Sequence, residues 1–191
     1  TQNLRPNDWV LLPVDGTKHG LKRYAWTLDG VAVVECPLAF GARALSTRLF
    51  STQGPDMRRM QLRMDEILAV SMGRMLPVEV TELVVSQHLL PHLERHGFLG
   101  GRSYDVLVTR PPLAGIQAAL DSARARWPER SSLGDFRVEK DQVNAERKAL
   151  EGARHLYTPN ATVASEYASK TTIIPWVVAG RVWRCSPRVG G

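Results

Sequence analysis

The sequence predicts an α/β fold in which a parallel β-sheet has helices on both faces and is preceded by an N-terminal β-hairpin. From about residue 79 onward, short apolar runs alternate with segments of helical periodicity, and turn-forming residues separate them. This spacing leaves room for a crossover helix between successive strands, which parallel strands require. The hairpin is predicted from Asp29-Gly30, which lies between two apolar runs and favours a tight turn.

The elements follow one another in a regular order. Strands are predicted within 8–14 and near 82–86, 104–109, 133–137, 154–158 and 171–175, with the hairpin near 23–35. A helix at 56–76 carries a stripe of methionines that we expect in the core. A second helix opens at Pro111-Pro112 and a third runs from 139 to 154. A short helix that ends at Gly97 follows the strand at 82–86.

Composition and charge narrow the class of protein. Of the 191 residues 43% are hydrophobic, which suits one packed domain. We divide the chain into an N-terminal strand and hairpin extension at 1–54, an α/β domain at 55–178, and a connector or tail at 179–191. No apolar run approaches the length of a membrane-spanning helix, so we expect no transmembrane segment. The net charge of +6 is spread along the chain, so nucleic acid is not an expected partner.

Several common kinds of site are not indicated. The sequence has no P-loop, no G-x-G-x-x-G, no G-x-S-x-G and no paired His/Cys metal spacing, which argues against the common NTPases, dehydrogenases, serine hydrolases and zinc hydrolases. We therefore expect no cofactor and no metal. Cys36 and Cys185 are far apart in the sequence, and we expect them to be reduced thiols of a cytoplasmic protein.

Candidate functional residues are predicted at the carboxyl ends of the strands, where ligands of open α/β sheets bind. The residues at these positions are Gln87, His88, Arg110, Asp135, Arg137, Asn160 and Trp176. His88 could act as a general base or cap its own helix. Arg110 and Arg137 could each bind a phosphate or carboxylate ligand, or pair with a neighbouring carboxylate of the protein. Asn160 could contact a ligand or cap the helix that follows it.

A second candidate segment is the turn after the first strand. Its sequence is Asp15-Gly16-Thr17-Lys18-His19-Gly20. With its glycines and the side chains of Lys18 and His19, this turn could face a phosphate group. An ordinary turn without a ligand is the alternative.

Glu146 occupies an unusual position in the helix at 139–154. At about 100° per residue it falls on the face formed by Gln142, Val143, Ala149, Leu150 and Ala153. A carboxylate on such a face must be paired, hydrogen-bonded or open to a cleft. Two interpretations are open: a pair with an arginine from the sheet below, or a carboxylate at the edge of a binding crevice.

Two short motifs near the end of the predicted sheet form one pattern. They are Glu146-x-x-Ala149-Leu150-x-x-Ala153-Arg154-His155-Leu-Tyr-Thr158-Pro159-Asn160 and Thr172-Ile-Ile-Pro-Trp176. This pattern resembles the end of the N-terminal domain of GT-B glycosyltransferases. In the retaining enzymes of that fold, a Glu-bearing helix leads into a strand of the type A-D-x-x-x-T-P, where this chain has Ala153-Arg154-His155 and lacks the Asp. The resemblance covers roughly residues 80–178, and the hairpin departs from it.

The resemblance implies the Rossmann-like N-terminal half of a retaining, group 1/family 4-like enzyme. Such an enzyme transfers a sugar from a nucleotide-sugar donor to an acceptor hydroxyl without an essential metal, and its C-terminal domain supplies most donor contacts. We therefore expect an acceptor-side domain that is incomplete without a C-terminal domain. Its acceptor would be a sugar or a lipid-linked acceptor, and its location the cytoplasm, at the periphery of the inner membrane.

The resemblance implies catalytic or substrate-binding roles for the candidate residues. The candidate catalytic residues are His88, Asp135 and Glu146. The candidate substrate-binding residues are Lys18, His19, Gln87, Arg110, Arg137, Asn160 and Trp176. The alternative to an enzyme is a non-catalytic α/β module that uses the same crevice to bind a phosphorylated ligand or a protein partner.

Overall fold

Two parallel sheets organise the part of the chain that the computed structural model describes, which is residues 8–22, 25, 28, 30–37, 41 and 55–175. The small sheet pairs β1 (Trp9–Leu12) with β2 (Ala32–Glu35). The large sheet has four strands in chain order: β3 (Glu82–Ser86), β4 (Ser103–Leu107), β5 (His155–Thr158) and β6 (Thr171–Ile173). Every pairing in both sheets is parallel. The predicted α/β fold with a parallel sheet flanked by helices is therefore confirmed.

Five α-helices with described bounds accompany these strands. They are α1 (Pro55–Met75), α2 (Leu90–Arg95), α3 (Leu113–Arg126), α4 (Lys140–Gly152) and α5 (Ala161–Glu166). Helix α2 packs mainly against α4, and α1 packs against α2. Gly97 follows the C-terminal end of α2 and has a φ of 74°, the left-handed conformation that terminates a helix, as predicted. No helix in these ranges is long and apolar enough to cross a bilayer.

One face of the large sheet forms the core with the helices. Val85 of β3 is in register with Val106 of β4, which is in register with Leu156 of β5. These side chains belong to one buried cluster with residues from four helices, namely Leu68, Ala69, Met72, Leu90, Leu93, Ala149, Leu150 and Val163. Successive strand residues point to opposite faces, so this one register fixes which strand side chains are buried.

The opposite face of the large sheet is open within the described residues. Val84 of β3 is 67% exposed and Leu107 of β4 is 40% exposed. Arg154 crosses this face and makes two hydrogen bonds to the carboxylate of Asp105, with Nε–Oδ1 and Nη2–Oδ2 distances of 2.9 and 3.0 Å. This ion pair holds the start of β5 beside the middle of β4.

The predicted hairpin lies largely outside the described residues. Its second arm is β2, which pairs with β1 rather than with a described neighbour in the first arm. Gly30 has a φ of 77°, as a tight turn at that position requires. Residues 24, 26, 27 and 29, which would complete the hairpin, are not among those described.

The predicted strand at 133–137 is wrong. Residues Ser131–Gly134 form a short 3₁₀ helix, and the chain then runs alongside α3. The Nε2 of Gln117 donates to the carbonyl of Phe136, and Arg137 pairs with Asp121, both partners being on α3. Gly134 and Asp135 are poor strand formers, and β5 already occupies the place beside β4. Residues 131–137 therefore extend the connection and not the sheet.

Helix α1 approaches its neighbours closely at Gly73. A methyl group placed there would lie 2.4–2.7 Å from the ring of Phe98. Gly115 of α3 is also helical, but nothing lies within 4 Å of the same position.

These two glycines make a matched pair for a stability test. We expect Gly73→Ala to lower the free energy of unfolding by about 1–3 kcal/mol, because overpacking outweighs the gain in helix propensity. Gly115→Ala should raise it by about 0.5–1 kcal/mol. Urea denaturation measures both, and a stabilising Gly73→Ala would contradict the close packing of α1.

Candidate functional site

Gln87 ties the ends of β3 and β4 together at the carboxyl edge of the large sheet. The side chain is fully buried. Its Oε1 accepts the backbone N–H groups of Thr109 and Arg110, each at 3.1 Å. The loop that follows β4 is therefore anchored by a side chain from the loop that follows β3. Gln87 therefore lies behind the edge and positions the loop after β4.

Glu146 of α4 holds the same loop from the other side. Its carboxylate is 1% exposed. Oε1 accepts from Arg110 Nη2 at 2.7 Å and from Gln87 Nε2 at 3.3 Å. Oε2 accepts the backbone N–H of Leu113, at the first turn of α3. A carboxylate there also faces the positive end of the helix dipole. The interpretation of Glu146 as the partner of an arginine is confirmed, and its oxygens point inward.

Arg110 brings this network to the surface. Its side chain is 29% exposed, and its Nη1 donates to the carbonyl of Pro111 at 3.0 Å. A guanidinium held by a buried carboxylate keeps a fixed position while part of its edge faces solvent. Arg110 can therefore present hydrogen-bond donors to an anionic group at little cost in conformational entropy.

Arg58 of α1 lies near Arg110, and the sequence did not single it out. Burial and the neighbouring charge of Arg110 hold the pKa of Arg58 below its usual value, while Asp65 acts in the opposite direction. Its Nε is buried without a hydrogen-bond partner in the described part of the chain. The buried face of α1 includes Asp65, Leu68 and Met72, so it is rotated from the predicted methionine stripe. The signal in the sequence was the spacing of Arg58 and Asp65, which are seven residues apart and so lie on the same face of a helix.

His88 is exposed at the same edge, in the turn after β3. Its Nδ1 lies 2.8 Å from the Oγ of Ser86, the last residue of that strand. This contact orients the imidazole ring next to the Gln87 anchor. An oriented imidazole near neutral pH suits proton transfer, so the structure keeps His88 as a candidate general base.

Asn160 caps a helix at the neighbouring strand end. Its Oδ1 accepts the backbone N–H groups of Thr162 and Val163, at 2.9 and 3.3 Å. The Oγ1 of Thr158 accepts the N–H of Asn160. This is the helix-capping role that the sequence left open, and it leaves the loop after β5 well defined.

Lys18 and His19 lie elsewhere. Both contact Glu35 of β2, with Lys18 Nζ–Oε1 and His19 Nε2–Oε2 distances of 2.9 Å. The hydrogen bond from Lys18, followed by one from the backbone N–H of Asp15, lowers the pKa of Glu35 to about 2. Lys18 and His19 are thus paired within the protein, which agrees with the alternative of an ordinary turn without a ligand.

The small sheet meets α1 at the end that is far from Arg110. Cys36, which follows Glu35, has its Sγ 3.3 Å from the Sδ of Met75. Met75 is 17 positions beyond Arg58 on one helix, or about 26 Å along its axis. Lys18 and His19 therefore do not join the carboxyl-edge residues.

Three further predicted residues are not at this edge of the described structure. Asp135 and Arg137 lie in the connection beside α3, where Arg137 is paired with Asp121. Their assignment to a strand end was wrong because the strand does not form. Trp176 lies outside the described residues. In the described ranges, no group of three or more His, Cys, Asp or Glu side chains is arranged to hold a metal ion.

Gln87, His88, Arg110 and Glu146 thus form the candidate site, with Asn160 on the next strand end. No protein-family model matches the sequence, and no curated protein or solved structure is detectably similar to it. The interpretation of the site therefore depends on its geometry and on the motif pattern in the sequence.

Replacing Glu146 tests the network. Glu146→Leu should lower the free energy of unfolding by about 3–5 kcal/mol, because it leaves the buried Leu113 N–H and the Gln87 amide without an acceptor and removes the ion-pair partner of Arg110. Glu146→Gln should cost about half as much, since its amide oxygen can still accept a backbone N–H. Chemical denaturation of both variants measures the difference. Equal losses would show that hydrogen bonding is not the role of this side chain.

His92 of α2 is a second buried polar group that the sequence did not reveal. It is 2% exposed, and its Nε2 lies 3.2 Å from the Nε2 of Gln142 on α4. Desolvation lowers its pKa to about 4, against an opposing effect of Glu66 and supporting effects of Arg95, His96 and His88. His92 is thus neutral inside the α2–α4 contact.

This depressed pKa predicts acid sensitivity. An unfolded chain binds a proton at His92 near pH 6.5 and the folded chain only near pH 4, so stability present above pH 6.5 is lost as pH falls through that window. The loss should reach roughly 3 kcal/mol. His92→Gln should flatten the stability profile between pH 6.5 and 4.5, measured by urea melts. An unchanged slope would show that His92 is not the titrating group.

Proposed function

We propose that this chain forms the acceptor side of a GT-B-type glycosyltransferase. The enzyme would transfer a sugar from a nucleotide-sugar donor to an acceptor hydroxyl without an essential metal. The observation that carries the proposal is the buried Glu146 carboxylate. It fixes Arg110 and the start of α3 at the carboxyl edge, where open α/β sheets bind ligands. Glu146 is also the first residue of the motif pattern that resembles this family.

The departure of the sequence from that pattern lies away from the edge. Arg154 stands where the family has Asp, and it pairs with Asp105 on the open face of the sheet. His155, the next residue, has its Nε2 2.8 Å from Thr172 Oγ1 on the same face. Leu156 and Thr158 face the helices. A change at position 154 therefore leaves the Glu146 network untouched, and it does not argue against the proposal.

The residues at the edge have separate roles in the proposed reaction. The imidazole of His88 accepts the proton of the acceptor hydroxyl while that oxygen forms the new glycosidic bond. The nucleotide leaves with the electron pair of the bond that breaks. Arg110 binds an anionic or hydroxyl group of the bound sugar. Gln87 and Glu146 act through Arg110 and the loop after β4 and are positioning residues.

The donor belongs mainly to a second domain in this proposal. We propose that a C-terminal donor domain, in cis or in trans, presents the nucleotide sugar across the edge that carries His88 and Arg110. The acceptor is a sugar or a lipid-linked sugar, and the reaction takes place in the cytoplasm at the periphery of the inner membrane.

Sugar transfer by the longest gene product that contains this chain is the direct test. Radiolabelled nucleotide sugars are offered with sugar and lipid-linked acceptors, and calorimetry measures binding to the present chain alone. The proposal expects transfer by the longer product and weak nucleotide-sugar binding by the chain. Tight nucleotide-sugar binding by the chain would refute the division of labour. Binding of a phosphorylated ligand without any transfer would favour a non-catalytic module.

His88→Gln gives the residue-level prediction. It should lower kcat by about 10²–10⁴-fold, because a positioned general base contributes a factor of that size. It should leave the melting temperature nearly unchanged, because His88 is exposed. His96→Gln is the matched control, since His96 is a half-exposed histidine that pairs with Glu66 away from the edge. Wild-type turnover in His88→Gln would remove His88 from the mechanism.

A further inference from the structure

Helix α3 carries an apolar strip that the described residues leave partly uncovered. Leu113 is the buried residue of this helix. Farther along, Ile116, Leu120 and Ala123 are half-buried, and Gly115 and Ala119 are exposed. An open depression of about 330 Å³ lies along the strip and is lined by Pro111, Gly115, Ile116, Ala119 and Leu120. The wall of this depression is almost entirely apolar.

The strip ends in an exposed aromatic residue between two arginines. Trp127, directly after α3, is 47% exposed. At 100° per residue, Arg124 and Arg126 fall on the two sides of the line of Ile116 and Leu120, and Trp127 is the C-terminal capping residue of the helix. Both arginines are exposed.

These arginines have no anionic partner within the described residues. Neither Arg124 nor Arg126 forms an ion pair with a described carboxylate, whereas Asp121 on the other side of the helix is paired with Arg137. Arg130, shortly after the helix, is likewise exposed and unpaired there. The segment from Arg124 to Arg130 has three arginines and one carboxylate, Glu129, so it carries a net positive charge beside an apolar strip, on a chain whose net charge is +6.

An apolar strip that has flanking arginines and ends in an aromatic residue also occurs on helices that lie in the interface of a bilayer. Such helices bury an apolar strip at the boundary of headgroups and acyl chains, while flanking arginines reach the lipid phosphates. Tryptophan favours the same depth. A bilayer also needs no complementary shape, which fits a shallow and open depression. A protein partner would require matching acidic groups and a matching relief.

We propose that α3 and Trp127 dock this protein on an anionic bilayer surface. Ile116, Ala119, Leu120 and Trp127 lie at the level of the acyl boundary, with Arg124 and Arg126 among the headgroup phosphates. The proposal goes beyond sugar transfer and is independent of it, since the contact needs no sugar and no second domain.

Docking through α3 would place the candidate site close to the lipid headgroups. Pro111 lines the depression, and its carbonyl accepts from Arg110 Nη1. A headgroup at the start of the strip would therefore meet Arg110. This adjacency explains how a lipid-linked acceptor reaches His88, and this one consequence rests on the proposed function.

Vesicle co-sedimentation tests the docking surface. The chain is mixed with phosphatidylcholine vesicles, with or without phosphatidylglycerol, and the bound fraction is measured. Gly115→Glu places a carboxylate in the depression without a steric clash, because nothing lies within 4 Å of that position. The double variant Arg124→Gln/Arg126→Gln removes the two flanking positive charges. A cation near an anionic surface contributes about fivefold in binding, so the double variant should bind on the order of thirtyfold more weakly.

Two matched controls separate the surface from charge and folding effects. Gly115→Lys fills the same space with the opposite charge and should bind at least as well as the wild type. Gly134→Glu makes the same charge change at another open position, in the connection beside α3, and should reduce binding by no more than about fivefold. Thermal melts should show all single variants folded.

Three results would overturn the proposal. The first is equal binding to vesicles with and without phosphatidylglycerol. The second is a loss in Gly134→Glu as large as that in Gly115→Glu. The third is no vesicle binding together with a dimer that Gly115→Glu dissociates in sedimentation experiments, which would assign this surface to a second copy of the chain.

Discussion

The buried carboxylate of Glu146 is the interaction on which the carboxyl edge of the sheet depends. It lies on α4, but its partners are at the end of β3, in the loop after β4 and at the start of α3. Removing such a group from water costs several kcal/mol unless donors replace the lost hydration. Three donors do so here, and each comes from a different element. The geometry of the edge is therefore fixed by the need to satisfy one charge.

The same requirement explains the division of roles between buried and exposed residues. The side-chain oxygen of Gln87 accepts two backbone N–H groups and its amide nitrogen donates to Glu146, so both polar atoms of the side chain are bonded within the network. Arg110 is partly exposed, and solvent reduces the cost of its charge. A buried ion pair adds little net stability compared with apolar packing, but it favours a single arrangement over alternatives. We infer that the network serves the precision of the edge more than the stability of the fold.

Much of the fold could be predicted from the sequence, because burial on one face leaves a pattern. The strands near 82–86 and 154–158 combine apolar runs with turn residues and form as predicted. The segment 133–137 has a similar but weaker run, and its fate was decided by contacts with Gln117 and Asp121 that no local pattern encodes. The partnership of Glu146 with an arginine was predictable from its place on an apolar face. The choice of Arg110, and the roles of Gln87 and His92, depend on packing between distant segments.

We infer that side chains rigidly hold the loop after β4. Native-state hydrogen exchange of the backbone amides of Thr109, Arg110 and Leu113 tests it most directly. These amides donate to side chains and not to a strand or helix ladder. We expect these amides to exchange with free energies close to that of global unfolding, like amides of the core strands. Exchange at the rate of an exposed loop would contradict it.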